Sequence, residues 1–293
     1  MHDPPPRDFT LYNKVVFPLI KKLIALGYFS LEIRGLRHLP RRGNWLLAGN
    51  HSGWFTLDSL MVAFAIRDTI GDERIPYPII NDVLLKTPGL GALFKRLGVI
   101  PASWLKDFKT LPTNISTFGV YPEGADGICK PFWKAYQMAP WKTGFVRLAI
   151  ARKAKVIPIT IIGGEECLPT SLPIKILKPF IGSAIPVPLV GFPLPTSWKI
   201  ILHEPVDFSV YPEEKIQDKV FCSKLARQIR SIIQLSLDFE TTERPLARLS
   251  QKVAAAKASI PLIGGLSTPD LPKRLTENHK MRKRRLIHSS IRI

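Results

Sequence analysis

The apolar positions of this chain change period repeatedly. Leu31 to Arg34 and Trp45 to Ala48 read as short strands, separated by a turn around Pro40 to Gly43. Gly98 to Ile100, Phe118 to Tyr121 and Trp198 to His203 are further short extended runs. Val156 to Ile162 is continuously apolar, the pattern of a strand buried on both faces. Between these runs the spacing turns helical, over Asp58 to Ile66, Asp82 to Leu97, Thr143 to Lys153 and Gln217 to Leu237. Strands alternating with helices predict an α/β fold, a single domain with a mainly parallel central sheet flanked by helices. Residues 31–239 carry that pattern, and a chain of 293 residues is long enough to give it a sizeable core.

Both ends depart from this rhythm. In residues 1–30, Leu11 to Tyr28 forms an amphipathic helix with Val15, Val16, Leu19, Ile20, Leu23, Ile24 and Leu26 on one face and Lys14, Lys21 and Lys22 beside it. Such a helix packs on the core or lies in a membrane interface with its lysines near headgroups. Pro18, Lys21 and Lys22 interrupt it, so it falls short of the ~20 apolar residues of a membrane span. The start of the chain lacks a basic segment feeding an apolar run, so no secretory signal is expected. Leu172 to Leu194 is apolar, with Lys175 and Lys178 as its only charges, and carries five prolines that forbid a regular helix or central strand. It reads as an irregular packed loop or as an apolar lid. Residues 240–293 hold twelve Lys and Arg against four Asp and Glu, including the run Met281 to Arg285, and read as a basic, poorly ordered tail.

Charge adds information about partners. The chain carries 42 Lys and Arg against 23 Asp and Glu, a formal net charge of +19. Such a balance suits anionic lipid, anionic cofactors or nucleic acid. The apolar, proline-rich composition favours a membrane surface over a nucleic-acid groove, and no stacking aromatics are interleaved with the basic tail. Cys129, Cys167 and Cys222 are odd in number and form no Cys-x-x-Cys pair, so reduced thiols are expected, with no disulfide framework and no metal site.

The chemistry concentrates in two loops. His51 follows the strand Trp45 to Ala48, at a strand end where α/β folds gather their ligand sites. Asp58 stands in the first turn of the next helix, where it either caps the helix or reaches back to His51. In the second arrangement it would take the Nδ1 proton and leave Nε2 to accept one from an alcohol. Glu123 and Gly124 follow the run Gly119 to Pro122. That carboxylate either binds an acceptor hydroxyl or polarises a basic side chain, and Gly124 permits close approach to the backbone. No Gly-x-Ser-x-Gly elbow is present, which argues against a serine esterase.

Several ordered blocks then resemble one family. Gly35-Leu36-Arg37-His38-Leu39-Pro40, Leu46 to Gly53, Val99 to Ser103, Val120 to Gly124 and Ile157 to Thr160 are similar to successive blocks of the glycerolipid acyltransferases of the lysophosphatidate acyltransferase type. Lys130-Pro131, Tyr136 to Met138, Thr143 to Ala149 and Gly163 to Glu166 resemble most the monoacylglycerol and diacylglycerol acyltransferase-like branch. The resemblance covers roughly Leu11 to Pro212. It implies a membrane-associated O-acyltransferase on the cytoplasmic side of a membrane, peripheral or monotopic. His51 would be the general base and Asp58 its orienting carboxylate; Glu123, Gly124, Lys130 and Arg147 would bind substrate. The partners implied are membrane lipid and an acyl thioester, acyl-CoA or acyl carrier protein, as co-substrate, without metal or other cofactor. Two departures bear on the acceptor. The acid stands seven positions after the histidine, and position five holds Thr56. Gly124 is followed by Ala125 and Asp126, where the family often has an arginine; a negative charge there would repel a phosphate and favours a neutral or zwitterionic acceptor. The alternative is a catalytically inactive lipid-binding protein of the same fold.

Overall fold

The computed structural model describes residues 2–52, 56–174, 176 and 184–259. Gly53, Lys175, Lys178, Pro179 and the basic run Met281 to Arg285 lie outside them. One compact unit extends to Ser250.

Eight strands form a single sheet: β1 (Phe29–Arg34), β2 (Trp45–Gly49), β3 (Tyr77–Ile80), β4 (Ile100–Pro101), β5 (Thr117–Val120), β6 (Lys155–Ile162), β7 (Thr196–Leu202) and β8 (Val206–Asp207). Their order is β1-β7-β6-β2-β5-β3-β4, with β8 also paired to β6. The block β6-β2-β5-β3-β4 is parallel throughout. β7 and β8 run antiparallel to β6, and β1 is parallel to β7. The mainly parallel α/β sheet expected from the alternation is therefore the observed one.

Alternate residues of the central strands feed two cores. Leu46, Ala48, Phe118, Val120 and Val156 face the helices Gly144–Ala151 and Lys219–Glu240. Trp45, Leu47, Ile157, Ile159 and Ile161 face the helices Phe17–Ala25 and Leu57–Ile70. This period of two, with both faces covered, explains why β6 reads as unbroken apolar sequence. Asn50 prolongs the β2–β6 pairing with its side chain. Its amide nitrogen donates to the Ile161 carbonyl at 2.7 Å, and its amide oxygen accepts from the Ile161 N–H at 2.8 Å.

Several elements differ from the sequence reading. The N-terminal helix comprises Phe9–Leu11, a π-helical stretch Tyr12–Val16 and Phe17–Ala25. It both packs and protrudes: Phe17 and Ile20 are buried, whereas Val15, Leu19 and Leu26 remain exposed. The span Asp82 to Leu97 is two helices, Asp82–Lys86 and Leu90–Arg96, because Pro88 and Gly89 break it and Gly89 adopts φ +71°. β3 was hidden by Pro76 and Pro78, which interrupt its apolar pattern. A further helix, Pro245–Ser259, begins where the periodicity had faded, with proline at its first position.

Asn50 is fully buried, so Asn50→Ala would leave two main-chain groups of Ile161 without partners. We expect a loss of about 2–4 kcal/mol with an unchanged denaturant slope, measured by urea unfolding.

Candidate active site

Three parallel neighbours, β6, β2 and β5, end side by side, and the loops leaving them build one site. The loop after β2 carries His51. The loop after β5 carries Tyr121, Glu123 and Gly124. The turn after β6 carries Gly163, Gly164 and Glu165.

The structure brings His51 and Asp58 together. Asp58 is the second residue of the Leu57–Ile70 helix, and its Oδ2 lies 2.6 Å from His51 Nδ1. The same Oδ2 accepts the Ser52 N–H at 3.1 Å, and Oδ1 accepts the Ser59 N–H at 2.7 Å. Asp58 thus serves the start of its own helix and the imidazole at once. A carboxylate only accepts, so Nδ1 holds the proton and Nε2 is left with its lone pair. The ring stacks on Tyr121, centroids 4.5 Å apart and 20° between planes. The His51 side chain keeps 12% exposure while Asp58 has none, so the imidazole is reachable and the carboxylate is not. Burial, and then the negative charge of Asp58, push the Tyr121 hydroxyl well above the usual phenol range, and it pairs with Ser59. Thr56, one residue before this helix, adopts φ +54°, a strained conformation for a β-branched residue at the edge of the site.

A second set of contacts fixes the main chain of the histidine. Glu123 is fully buried; its Oε1 accepts the His51 N–H at 3.0 Å and its Oε2 the Ala139 N–H at 2.7 Å. Lys130 Nζ lies 3.4 Å from Glu123 Oε2 and 2.7 Å from Glu165 Oε1. Gly127 packs beneath: a Cβ there would stand 2.8 Å from the Cβ of His51 and 2.9 Å from that of Glu123. Gly164 is equally constrained, since a Cβ would come within 2.3 Å of Ser52 Oγ.

The residues read as substrate-binding therefore divide. Glu123 and Lys130 are sealed from solvent, and the groups they meet are protein groups. Of the two roles open to Glu123 in the sequence, its pairing with Lys130 is the one observed. Arg147 lies on the helix packed against the other face of the sheet from the Asp58 helix, its guanidinium 5.3 Å from the centre of the Phe108 ring. It is not brought to His51. Gly124 is partly exposed at φ +59°, and a Cβ on it would meet Lys142 Nζ at 3.2 Å. The exposed Lys142 thus lies across Gly124, held there because its N–H donates to the Pro122 carbonyl at 3.0 Å. Sequence reading assigned nothing to Tyr121, Lys142 or Glu165. Glu165, an acid just after an apolar strand, was the one with a visible signal; Lys142 is brought in by a separate segment.

Tyr121, on which the imidazole stacks, also lines an apolar pocket of about 620 Å³ counting its open mouth; His51 and Asp58 themselves do not line it. Ser59 and Tyr121 line it near the imidazole, and Tyr12, Leu60, Val62 and Phe94 line it elsewhere. Tyr12 is held by donating its hydroxyl to the Leu97 carbonyl at 3.1 Å. Cys129, Cys167 and Cys222 are buried thiols, and burial raises Cys167 to about 12, so it stays protonated.

Residues 30–162 match the family model described as Acyltransferase, a span that holds His51, Asp58 and Glu123. Uncharacterized proteins of Mycobacterium leprae (strain TN) and Mycobacterium tuberculosis (strain ATCC 25618 / H37Rv) are each 29% identical to 77% of this chain. The matches cover 64% and 66% of those relatives, so the chain spans about two thirds of their length. Among solved structures, the 1-acyl-sn-glycerophosphate acyltransferase PlsC of Thermotoga maritima shares the fold, with a TM-score of 0.52 and 16% identity over 78% of this chain and 80% of its own. Residues 30–162, a little under half of the chain, thus resemble the acyltransferase family, and the α/β architecture is the one PlsC shows.

Proposed function

We propose that the chain moves a fatty acyl group from a thioester, acyl-CoA or acyl carrier protein, to a hydroxyl of a glycerolipid or lysophospholipid at a membrane surface. The observation that carries this reading is an imidazole with Nδ1 committed to a buried carboxylate at 2.6 Å, beside an apolar pocket. Nε2 takes the proton of the acceptor hydroxyl as its oxygen attacks the thioester carbon. The tetrahedral adduct then expels the thiolate, which recovers that proton from His51. Asp58 stabilises the imidazolium between the two steps. The pocket suits the acyl chain, because its walls are mostly hydrocarbon and Tyr121 lies between it and the imidazole. Attack is direct, and no residue of the chain carries the acyl group.

Two features bear on substrate presentation. The exposed Asp126 follows the Gly124 turn, and the Lys142 ammonium lies over Gly124 itself. We assign Lys142 the acceptor headgroup, since Lys130 and Arg147 are engaged elsewhere. An apolar surface lies by the hairpin that the bridges Thr170↔Pro188 and Ile174↔Ile185 define. Leu172, Ile176, Leu189 and Phe192 protrude from it, at 67%, 81%, 52% and 64% exposure. Tyr28 donates its hydroxyl to the Pro193 carbonyl at 2.6 Å, which ties the end of the N-terminal helix, with exposed Leu26, to this hairpin. No helix among the described residues is long and apolar enough to cross a membrane. We infer that the hairpin and the lysine-edged helix meet the cytoplasmic face of a bilayer, peripherally or monotopically.

His51→Ala is expected to lower acyl transfer from labelled acyl-CoA to mixed lipid acceptors by about 10²–10⁴-fold while circular dichroism is unchanged. Full turnover in that variant would remove His51 as the base, and no turnover by the native chain with any acceptor would favour the inactive lipid-binding reading. Lys142→Ala should raise KM for a lysophospholipid about tenfold and leave KM for a monoacylglycerol unchanged; equal effects on both would free Lys142 of that role. Replacing Leu172, Ile176 and Phe192 together by Ser should weaken co-sedimentation with anionic vesicles by tenfold or more, each buried apolar side chain contributing ~1.5–3 kcal/mol.

A further inference from the structure

The site contains an ionic chain that general-base catalysis does not itself require. Glu123 and Lys130 flank the short helix Ala125–Ile128 after β5, Glu165 lies in the short helix Gly164–Cys167 after β6, and the Glu165, Lys130 and Glu123 side chains are 8%, 7% and 0% exposed. Glu165 Oε1 stands 2.7 Å from Lys130 Nζ, and Lys130 Nζ stands 3.4 Å from Glu123 Oε2. Glu123 Oε1 then accepts the His51 N–H at 3.0 Å. At the far end Glu165 Oε2 accepts the N–H of Tyr136, a residue at φ +63°. The Tyr136 hydroxyl donates to Glu166 at 2.7 Å and accepts the Gly163 N–H at 3.1 Å. The chain thus runs from the turn after β6 to the main chain of the catalytic histidine.

Stability alone is a poor reason for such a group. Desolvating ions offsets much of their mutual attraction, and a well-packed apolar replacement is often no worse. Burial on its own would depress the Lys130 ammonium, yet the two flanking carboxylates outweigh it and hold the ammonium above its ordinary range. Burial acts the other way on Glu165 and raises it, with Lys130 opposing. Glu123 has one cationic neighbour, Lys130, among the ion pairs of the described residues. Without it, a fully buried carboxylate would be left uncompensated and would turn toward water or toward another donor. Either response weakens its hold on the His51 N–H. The imidazole is fixed at three points: Asp58 on Nδ1, Gly127 under Cβ and Glu123 on the main chain. Only the last depends on a charge supplied from elsewhere.

We propose that Lys130 and Glu165 are positioning residues of the acyl-transfer site, holding Glu123 where it clamps the His51 main chain and touching neither acyl donor nor acceptor. This rests on the acyl-transfer reading of the same site. It reassigns Lys130 from the substrate to the scaffold and gives Glu165 a role. Lys130 acts through Glu123, so its loss changes the placement of the base and leaves the binding of both substrates as it was.

The test compares Lys130→Met, Lys130→Arg, Glu165→Gln and the Lys130→Met/Glu165→Gln double variant in steady-state transfer from oleoyl-CoA to a monoacylglycerol or lysophospholipid in mixed micelles. A second readout is the low-field proton NMR signal of the His51 Nδ1–H, identified by its disappearance in Asp58→Asn. Lys130→Met is expected to lower kcat by about 10- to 100-fold with both KM values within twofold, and to shift the low-field signal. The double variant should be no slower than Lys130→Met alone, and Lys130→Arg should regain most of kcat. Full kcat in Lys130→Met overturns the proposal, as does a raised acceptor KM at constant kcat, which would put Lys130 on the substrate. A fall in kcat with an unmoved signal and no rescue by arginine also overturns it. If Lys130→Met does not fold, the isosteric Glu165→Gln decides by the same criteria, with a fall of about tenfold expected. A native chain that transfers no acyl group sinks the acyl-transfer reading. The relay is then judged by the low-field signal, and an unmoved signal in Lys130→Met sinks it separately.

Discussion

The contact on which this structure turns is the bond between the His51 imidazole and the Asp58 carboxylate. It fixes the tautomer, leaves one lone pair directed outward and supplies a counter-charge for the imidazolium. It joins a residue at the end of β2 to the first turn of the Leu57–Ile70 helix. Asp58 also holds the Ser52 and Ser59 N–H groups, which makes the helix start and the orientation of the imidazole a single structural feature. Asp58 both serves its own helix and reaches back to His51.

Around this bond the protein spends buried charge on geometry. Asp58, Glu123, Lys130 and Glu165 are all withdrawn from water, and each is paired. Such ions stabilise little in net terms, but they define directions sharply, because a misplaced partner leaves an uncompensated charge. Gly127 and Gly164 complement them by close approach: neither position has room for a Cβ. The apolar side of the site is built by a different rule. Its pocket is lined by hydrocarbon from the N-terminal segment, the Asp58 helix and the Leu90–Arg96 helix, with Tyr121 at the junction of the polar and apolar halves.

Much of this was legible in the order of residues. The sheet could be read because β2, β5 and β6 are short apolar runs separated by helical spacing, and β6 is buried on both faces. His51 and Asp58 could be read because strand end and helix start are adjacent in sequence. β3 was not legible, since Pro76 and Pro78 break its pattern, yet it pairs with β5 through Tyr77 and Pro78 and with β4 through Ile79 and Ile80. The break at Pro88 and Gly89 was missed because the apolar spacing continues on both sides of it. The N-terminal helix was readable as amphipathic, but the division of its wide apolar face between core and solvent was not; that depends on how much of the face the sheet and the Asp58 helix cover.

The sequence by itself determined the fold class and the pairing of His51 with Asp58, because both rest on local periodicity and short-range spacing. Tertiary structure alone decided which way each charged side chain of the second loop points. Glu123 and Lys130 read as surface groups available to a substrate, whereas folding carries Glu165 in from the turn after β6 and seals all three together. It also moved Arg147 to the opposite face of the sheet and brought Lys142 across Gly124. Those outcomes depend on contacts between segments far apart in the chain, and no periodicity records which distant charge will be the nearest neighbour once water is excluded.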